Sequence, residues 1–189
     1  MTVALHVCCG PCASACVPRL KGLGHDVTML FANSNIDTEA EFDKRRAEAA
    51  RLAANDGVAF ASLPYDHADW TEKVARGFED APERGERCVR CFRYNLAKAA
   101  EWARAHGMEA FTTSLTVSPH KPSAVVFAAG REAASAGPVA FLEEDFKKKE
   151  GFKLSVARSK ELGLYRQSYC GCEFSKRPVT CAARAACSE

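Results

Sequence analysis

Cysteine is the residue type with the widest chemistry in this 189-residue chain, which contains ten of them. Seven fall into three local clusters, spaced C-C-x-x-C, C-x-x-C and C-x-C: Cys8, Cys9 and Cys12, then Cys88 and Cys91, then Cys170 and Cys172. Cysteines at such short spacings are typical metal ligands, and a fold that gathers separate clusters builds a metal or iron–sulfur site. The cysteines therefore predict a metal centre assembled from distant parts of the chain.

The number of clustered cysteines helps to decide which metal they bind. A structural zinc site uses about four ligands, fewer than the seven clustered cysteines of this chain. No two histidines have the spacing of zinc ligands, and an all-thiolate set favours an iron–sulfur cluster over catalytic zinc. A [4Fe–4S] cluster takes about four cysteines, which leaves about three for a second metal or a redox couple.

The first cluster lies directly after a short apolar run, residues 3–7, that predicts a buried strand. A helix that begins just beyond it would place its N–H groups and its dipole beside Cys8 and Cys9, which favours the thiolate form. Gly10 would let the backbone approach a bulky cluster closely. Buried structural cysteines are the alternative, but an adjacent pair with a third cysteine close by is hard to explain as packing. Cys16, one helical turn further on, is expected in the core.

The second cluster lies where a charged loop gives way to a helix. The spacing of Cys88 and Cys91 suits a zinc ligand pair, a thioredoxin-type redox pair or half of an iron–sulfur site. Four arginines lie nearby and would form either a solvated face or a set of contacts to RNA phosphates: Arg84, Arg87, Arg90 and Arg93.

The third cluster is a C-x-C pair near the end of the chain. A disulfide between Cys170 and Cys172 would close a small, strained ring that is easily reduced. The pair is therefore expected either to shuttle electrons or to bind metal, with two unrelated buried cysteines as the alternative. Cys181 and Cys187 lie in a tail, residues 178–189, that is expected to be weakly ordered, and they are assigned no role.

Strand and helix patterns alternate along the chain. The predicted strands are 3–7, 26–33, 58–63 and 110–115, and the predicted helices are 11 or 12 to 18, 38–55, 68–78, 91–106, about 121–136 and 155–162. Pro18 is expected to kink or end the first helix because it has no N–H. Thr38 should cap the second helix and Gly57 should stop it.

This alternation predicts an α/β fold with a parallel sheet between two layers of helices. Ligands of such sheets gather at the carboxyl ends of the strands. Cys8 and Cys9 follow the first predicted strand, and Ser118, Pro119 and His120 lie just past the fourth. The metal site is therefore expected at this edge of the sheet.

The composition is that of a globular protein, with 47% apolar and 26% charged residues and a net charge of +2. Any binding to nucleic acid would have to come from local basic patches. The apolar run at the N-terminus lacks the basic residues of a signal peptide, and no run approaches ~20 apolar residues. We therefore expect a cytoplasmic protein with no membrane segment, in which thiols are kept reduced and structural disulfides are disfavoured.

Six motifs, in order, resemble those of the QueH family of epoxyqueuosine reductases, and together they span about residues 4–177. They are CCGPC from Cys8, FANSNI from Phe31 with Glu41, Phe42 and Arg45, GERCVRCF from Gly85, FTTSL from Phe111 with SPHK from Ser118, EDFKKK from Glu144 with GFK from Gly151, and SKELGLYRQSYCGCEFS from Ser159. The chain departs from the family pattern at three positions. Gly10 replaces the usual Ala, Ser34 replaces Pro, and Leu154 replaces a basic residue whose loss is expected to weaken one substrate contact.

The resemblance implies a HUP-like, Rossmann-like domain over residues 1–177 that reduces epoxyqueuosine to queuosine at the wobble position of tRNA. It implies no need for cobalamin and an electron donor that the sequence does not identify. It also implies a [4Fe–4S] cluster on Cys8, Cys9, Cys88 and Cys91. Cys170 and Cys172 would be a redox-active pair or, with Cys12, ligands of a second, mononuclear iron. The substrate would be the tRNA anticodon stem-loop that carries epoxyqueuosine.

Removal of an epoxide oxygen as water requires an acid as well as two electrons. Three residues near the predicted strand ends are candidate proton donors: His120, Asp145 and Tyr169. For His120, a structural role is the alternative. The run of lysines at 147–149 is either a solvated turn or a contact to anticodon-arm phosphates.

Two other functions compete with this one. An iron–sulfur tRNA thiolase would need an ATP-binding Ser-Gly-Gly-x-Asp-Ser loop after the first strand, where this chain has the first cysteine cluster. A metal-storing or zinc-structured RNA-binding module without enzymatic activity is the second, and it would be colourless if its metal were zinc.

Overall fold

A computed structural model describes residues 1–176 of the protein. The strands are β1 (Thr2–Val7), β2 (Asp26–Phe31), β3 (Ala59–Ser62), β4 (Ala110–Thr113) and β5 (Ala140–Phe141). The helices are α1 (Gly10–Gly22), α2 (Glu39–Asp56), α3 (His67–Trp70), α4 (Glu86–Ala105), α5 (Ser123–Ala134) and α6 (Gly151–Glu161). A π-helical turn over Thr71–Ala75 extends α3, and short 3₁₀ turns cover Ser114–Val117 and Glu173–Ser175.

The five strands form one parallel sheet in the order β3-β2-β1-β4-β5. One apolar cluster joins α1 and α2 to one face of the sheet, and a second joins α4 and α5 to the other. This arrangement confirms the predicted three-layer α/β fold. Because the strand order reverses between β1 and β4, their carboxyl ends open a crevice of the kind in which such folds bind ligands.

Side chains fasten the strand ends that border this crevice. The imidazole of His6, fully buried in β1, lies 2.9 Å from Thr113 Oγ1 through Nδ1 and 3.2 Å from Ala32 O through Nε2. Asn33 Nδ2 donates to Val7 O at 2.7 Å. The ends of β1, β2 and β4 are thereby held in register directly beneath the first cysteine cluster.

Pro18 does not end the first helix, because α1 continues to Gly22. Pro18 cannot donate to the carbonyl of Ser14 four residues earlier. Arg158 Nη1, on α6, donates to that carbonyl instead, and its guanidinium also pairs with Asp56. A distant side chain therefore supplies the hydrogen bond that proline removes.

Arg158→Met should lower the free energy of unfolding by about 1–3 kcal/mol, because the Ser14 carbonyl would lose its side-chain donor and the buried Asp56 carboxylate would lose its cation. Asp56 has a side chain only 3% exposed, whereas Arg158 is 28% exposed, which moderates the loss. Urea unfolding measures the effect. Lys160→Met, an exposed change on the same helix, should leave stability within about 0.5 kcal/mol, and equal values for the two variants would refute the assignment.

Helix boundaries predicted from pattern were right at α2 and early or late elsewhere. Thr38 Oγ1 accepts from Glu41 N at 3.3 Å, and Gly57 ends α2 in a left-handed conformation, as predicted. The helix expected over 91–106 begins five residues earlier at Glu86, so the whole second cysteine cluster is helical. The helix expected over 155–162 begins at Gly151, and β5 was missed because it has only two residues.

The helix expected over 68–78 is shorter than predicted. Its α-helical part is His67–Trp70, and the following π-helical turn ends at Ala75. No helix among residues 1–176 is both long and apolar enough to cross a membrane. The predictions for the tail at 178–189, including Cys181 and Cys187, lie outside the described residues.

Candidate metal and active site

A cavity of about 310 Å³ opens at the carboxyl edge of the sheet, in the crevice beside β1 and β4. Cysteines from all three sequence clusters line it: Cys8, Cys9, Cys12, Cys91 and Cys170. Its other polar lining side chains include three cations, Arg84, Lys121 and Arg166, and one carboxylate, Glu83. The fold therefore brings the three clusters, up to 162 residues apart in the chain, to one place (170 − 8 = 162).

The first cluster forms a compact set of sulfurs. The Sγ atoms of Cys8, Cys9 and Cys12 all lie within 4.8 Å of one another, close enough to hold one metal ion. Cys9 is the N-cap of α1, and its sulfur accepts from Cys12 N at 3.5 Å. The end of β1 and the start of α1 thus fix all three side chains through one tight turn.

The thiols of the first cluster differ in how readily they lose a proton. Hydrogen bonds from the thiols of Cys12 and Cys9 hold the pKa of the Cys8 thiol well below its usual value. The same hydrogen bond with Cys8 raises the pKa of Cys12. One sulfur of the three therefore carries negative charge readily, and a bound cation would replace the protons on the others.

The second and third clusters meet at a small apolar group around Trp70. Cys88 and Cys91 lie in the first two turns of α4. Cys172, 8% exposed, packs with Trp70 and Val74, and Cys91 contacts the same apolar group. Burial and the neighbouring Cys170 raise the pKa of the Cys91 thiol. Cys170 itself is exposed and faces the cavity, so the two cysteines of the C-x-C pair lie in different environments.

Four cysteine sulfurs accept hydrogen bonds within the described residues, and they come from two clusters. Their donors are Ser114 Oγ to Cys8 at 3.5 Å, Cys12 N to Cys9 at 3.5 Å, Arg84 N to Cys88 at 3.2 Å and Asn95 Nδ2 to Cys91 at 3.6 Å. A thiol is a weak acceptor, whereas a thiolate or a metal-bound sulfur attracts such donors. The donor set therefore fits sulfurs that ligate a metal.

A further donor near Cys91 has no acceptor in the described part of the chain. Trp70 Nε1 is buried without a hydrogen-bond partner there, and Trp70 packs in the same cluster as Cys91. A more negative sulfur at Cys91 would satisfy this orphaned N–H.

Lys121 lines the cavity, although the motif that contains it indicated no role for it. Burial disfavours its ammonium, yet the surrounding Cys170 and Cys8 raise its pKa above the ordinary value. It lines the same cavity as the first cluster and Cys170, where it offsets negative charge on sulfur. Its only signal in the sequence was the Ser-Pro-His-Lys motif.

Two buried arginines hold the C-x-C segment, which has no regular secondary structure of its own before the turn at 173. Arg45 Nη1 donates to Cys170 O at 2.8 Å, and its guanidinium lies 4.9 Å from the centre of the Tyr169 ring. Arg87 lies 4.3 Å from the Phe174 ring. The segment is therefore clamped on both flanks by cations that are only 1–2% exposed.

The arginines around the second cluster do not act as a group. Arg87 is buried and donates to the carbonyls of the loop before α4, while Arg90 donates to the carbonyls of Val74 and Lys73. Arg93 pairs with Glu132. Of the four, only Arg84 lines the cavity, so neither a shared solvated face nor a shared RNA surface describes them.

The three candidate proton donors separate in the structure. His120 lines the cavity, with its Nδ1 accepting from Arg84 Nη2 at 3.0 Å. Tyr169 also lines it, but its hydroxyl donates to Asp37 Oδ1 at 2.7 Å. Asp145 is not among the lining residues and accepts from Lys147 N.

The chain matches known proteins along nearly its whole length. A family model described as epoxyqueuosine reductase QueH matches residues 3–178. The chain belongs to the QueH family. Proteins with that name from Streptococcus pyogenes serotype M1 and Haemophilus influenzae are 34% and 35% identical, over 93% and 92% of this chain and 71% of each relative. One from Thermotoga maritima is 33% identical over 92% of this chain and 90% of its own length. By name, these relatives are oxidoreductases.

Gly10, one of the departures from the QueH pattern, has a packing role that the sequence did not indicate. A Cβ at Gly10 would lie 3.1 Å from Glu48 O, in the backbone of α2. Glycine therefore lets α1 and α2 approach closely. Leu154, the third departure, is 57% exposed on α6 and is not among the cavity-lining residues.

Proposed function

We propose that this protein is an epoxyqueuosine reductase, which converts epoxyqueuosine to queuosine at the wobble position of tRNA through an iron–sulfur cofactor and without cobalamin. The observation that carries the proposal concerns the sulfurs. The four that accept hydrogen bonds within residues 1–176 are Cys8, Cys9, Cys88 and Cys91, the same four that family resemblance assigns to a [4Fe–4S] cluster. When bound, such a cluster supplies electrons one at a time.

The reaction breaks both C–O bonds of the epoxide and forms a C=C bond, and the oxygen leaves as water. It consumes two electrons and two protons, so an electron donor must reload the cofactor. His120 is the proposed proton donor for the oxygen. Its Nδ1 accepts from Arg84, which leaves the proton of the ring on Nε2. Tyr169 is less suited because its proton is engaged by Asp37.

The cavity opens beside the sulfurs, where an extruded nucleoside could reach the cofactor. Its volume of about 310 Å³ lies at the lower end of small-molecule sites. A nucleotide in an anticodon loop is unstacked at low cost, which allows it to enter such a pocket. Arg84 and Arg166 at the cavity would attract the phosphates of the flanking strand, and we therefore propose the tRNA anticodon stem-loop as the macromolecular partner.

The role of the C-x-C pair follows from its two environments. Cys170 faces the cavity and Cys172 is buried beside Cys91. We propose that the pair either cycles between dithiol and disulfide or, together with Cys12, binds a second iron. We further propose that residues 1–177 form the reductase domain and that the protein acts in the cytoplasm.

The decisive experiment is anaerobic incubation of the iron-loaded protein with tRNA that contains epoxyqueuosine and a strong reductant, followed by mass spectrometry of the nucleosides. We expect a product nucleoside lighter by one oxygen. An unchanged nucleoside would refute the proposal. A colourless protein that binds zinc would favour the RNA-binding module instead.

Trp70→Phe tests the orphaned indole N–H. Removal of a hydrogen-bond donor near Cys91 should lower the midpoint potential of the cofactor, because such donors stabilise the more negative, reduced state. The expected shift is about 40 mV, equivalent to one hydrogen bond of about 1 kcal/mol. Trp102→Phe changes the other tryptophan, which stacks on His106, and should leave the potential unchanged in spectroelectrochemical titration. Equal potentials in wild type and Trp70→Phe would contradict the assignment.

A further inference from the structure

We infer that Phe152, backed by Arg166, is a stacking platform for an unpaired RNA base that neighbours the nucleotide in the cavity. The inference rests on the proposed function, since it adds a contact to the same RNA substrate. Phe152 is 38% exposed and lines the cavity, although large apolar side chains are usually buried. The Arg166 guanidinium lies 5.4 Å from the centre of its ring.

The packing of α6 explains why this ring faces outward. The helix buries a stripe of small residues, Gly151, Ser155 and Ser159, and Ser14 Oγ on α1 donates to Ser155 O at 3.4 Å. Small side chains let the two helices approach closely, so the larger side chains of α6 remain at the surface. Phe152 and Val156 are four residues apart and both exposed, so they share one face of α6. Phe152 lies at the end of this face, beside the cavity.

The net positive charge around this face would attract a negatively charged polymer such as RNA. Residues 147–166 contain seven basic and two acidic side chains, a net charge of +5. The whole chain carries only +2, so the remainder is −3 (2 − 5). Lys148, Lys149 and Lys160 are exposed and have no ion-pair partner among residues 1–176. Lys160 continues the face of Phe152 and Val156 at the same helical spacing.

The rest of the lysine run is structural. Lys147 Nζ donates to Lys121 O and to Ser123 Oγ, each at 2.7 Å, so it ties the loop before α6 to the start of α5. The two interpretations of the lysines at 147–149, a solvated turn or a contact to RNA phosphates, therefore apply only to Lys148 and Lys149. An aromatic ring at the pocket mouth with cations around it is the arrangement by which proteins bind single-stranded nucleic acid.

The test uses synthetic anticodon stem-loops with an unmodified wobble guanosine and 2-aminopurine on its 5′ or 3′ side. Stacking quenches 2-aminopurine fluorescence, so wild type and Phe152→Trp should quench one of the two probes and Phe152→Leu should not. Phe152→Leu should also weaken binding by about 5- to 100-fold, the range for loss of one base–aromatic stack. Leu154→Ala removes another exposed apolar side chain of α6 and should change binding less than about 2-fold.

Two results would overturn the inference: quenching that survives in Phe152→Leu, or binding losses that are equal for Phe152→Leu and Leu154→Ala. The assay requires no turnover and no epoxyqueuosine. Quenching without oxygen removal in the nucleoside assay would therefore defeat the proposed reaction and leave the platform standing. Oxygen removal by the wild type, with quenching and binding unchanged in Phe152→Leu, would instead support the proposed reaction and defeat the platform.

Discussion

Cys8→Ala should yield a protein that folds but has lost its iron, its brown colour and its reductase activity together. Cys8 is the sulfur of the first cluster with the lowered pKa, and it accepts a hydrogen bond from Ser114 at the end of β4. Its loss removes one ligand from a site in which Cys9 and Cys12 lie within 4.8 Å. Iron analysis and absorbance near 400 nm, under anaerobic conditions, measure the loss directly.

Cys16→Ala is the matched control, because Cys16 lies on the same helix one turn beyond Cys12. It is fully buried in the core, and its thiol donates to Cys12 O at 3.4 Å. The change should cost about 1–2 kcal/mol of stability and leave iron and activity intact. Iron retained by Cys8→Ala, or lost from Cys16→Ala, would contradict the site.

Two further cysteine variants separate the possible arrangements of the ligands. If the cluster is bound by Cys8, Cys9, Cys88 and Cys91, Cys88→Ala should lose as much iron as Cys8→Ala. Cys12→Ala should then keep the cluster and lose only turnover. The reverse result, with iron lost from Cys12→Ala and kept by Cys88→Ala, would place the metal on the compact set of the first cluster alone.

Arg45→Met should destabilise the protein by about 3–5 kcal/mol and abolish activity, because it breaks a buried ion pair and frees the C-x-C segment. Arg45 is 1% exposed, and its Nε donates to Glu41 Oε1 at 2.7 Å. Methionine fills similar space but removes the donor to the Cys170 carbonyl and the cation beside the Glu41 carboxylate, which keeps the Tyr165 hydroxyl as a donor. Urea unfolding of protein with equal iron content measures the loss.

Arg46→Met is the matched control on the next position of α2. Arg46 pairs with Asp43 at 3.0 Å, and its side chain is 48% exposed. An exposed pair of this kind contributes about 0–1 kcal/mol, so both stability and activity should stay close to wild type. Similar losses of stability and activity for Arg45→Met and Arg46→Met would show that the buried contacts of Arg45 do not hold the C-x-C segment in place.

The amino-acid sequence by itself determined the features that depend on local pattern. Apolar runs and amphipathic stretches identified four of the five strands, and Thr38 and Gly57 marked the ends of α2, because caps and stops act within a few residues. The alternation of strand and helix was sufficient for the three-layer fold. The fold in turn implied that the cysteine loop after β1 lies at the ligand-binding edge.

Only the tertiary structure decided which side chains meet. Arg158 completes α1 at Pro18 through a carbonyl 144 residues away, and Arg45 reaches Cys170 O across 125 residues. In the sequence these arginines are indistinguishable from exposed ones, because helical spacing reports which face a residue occupies and not what covers that face. The donors to the four sulfurs and the position of Lys121 arise in the same way, from the packing of separate elements around one crevice.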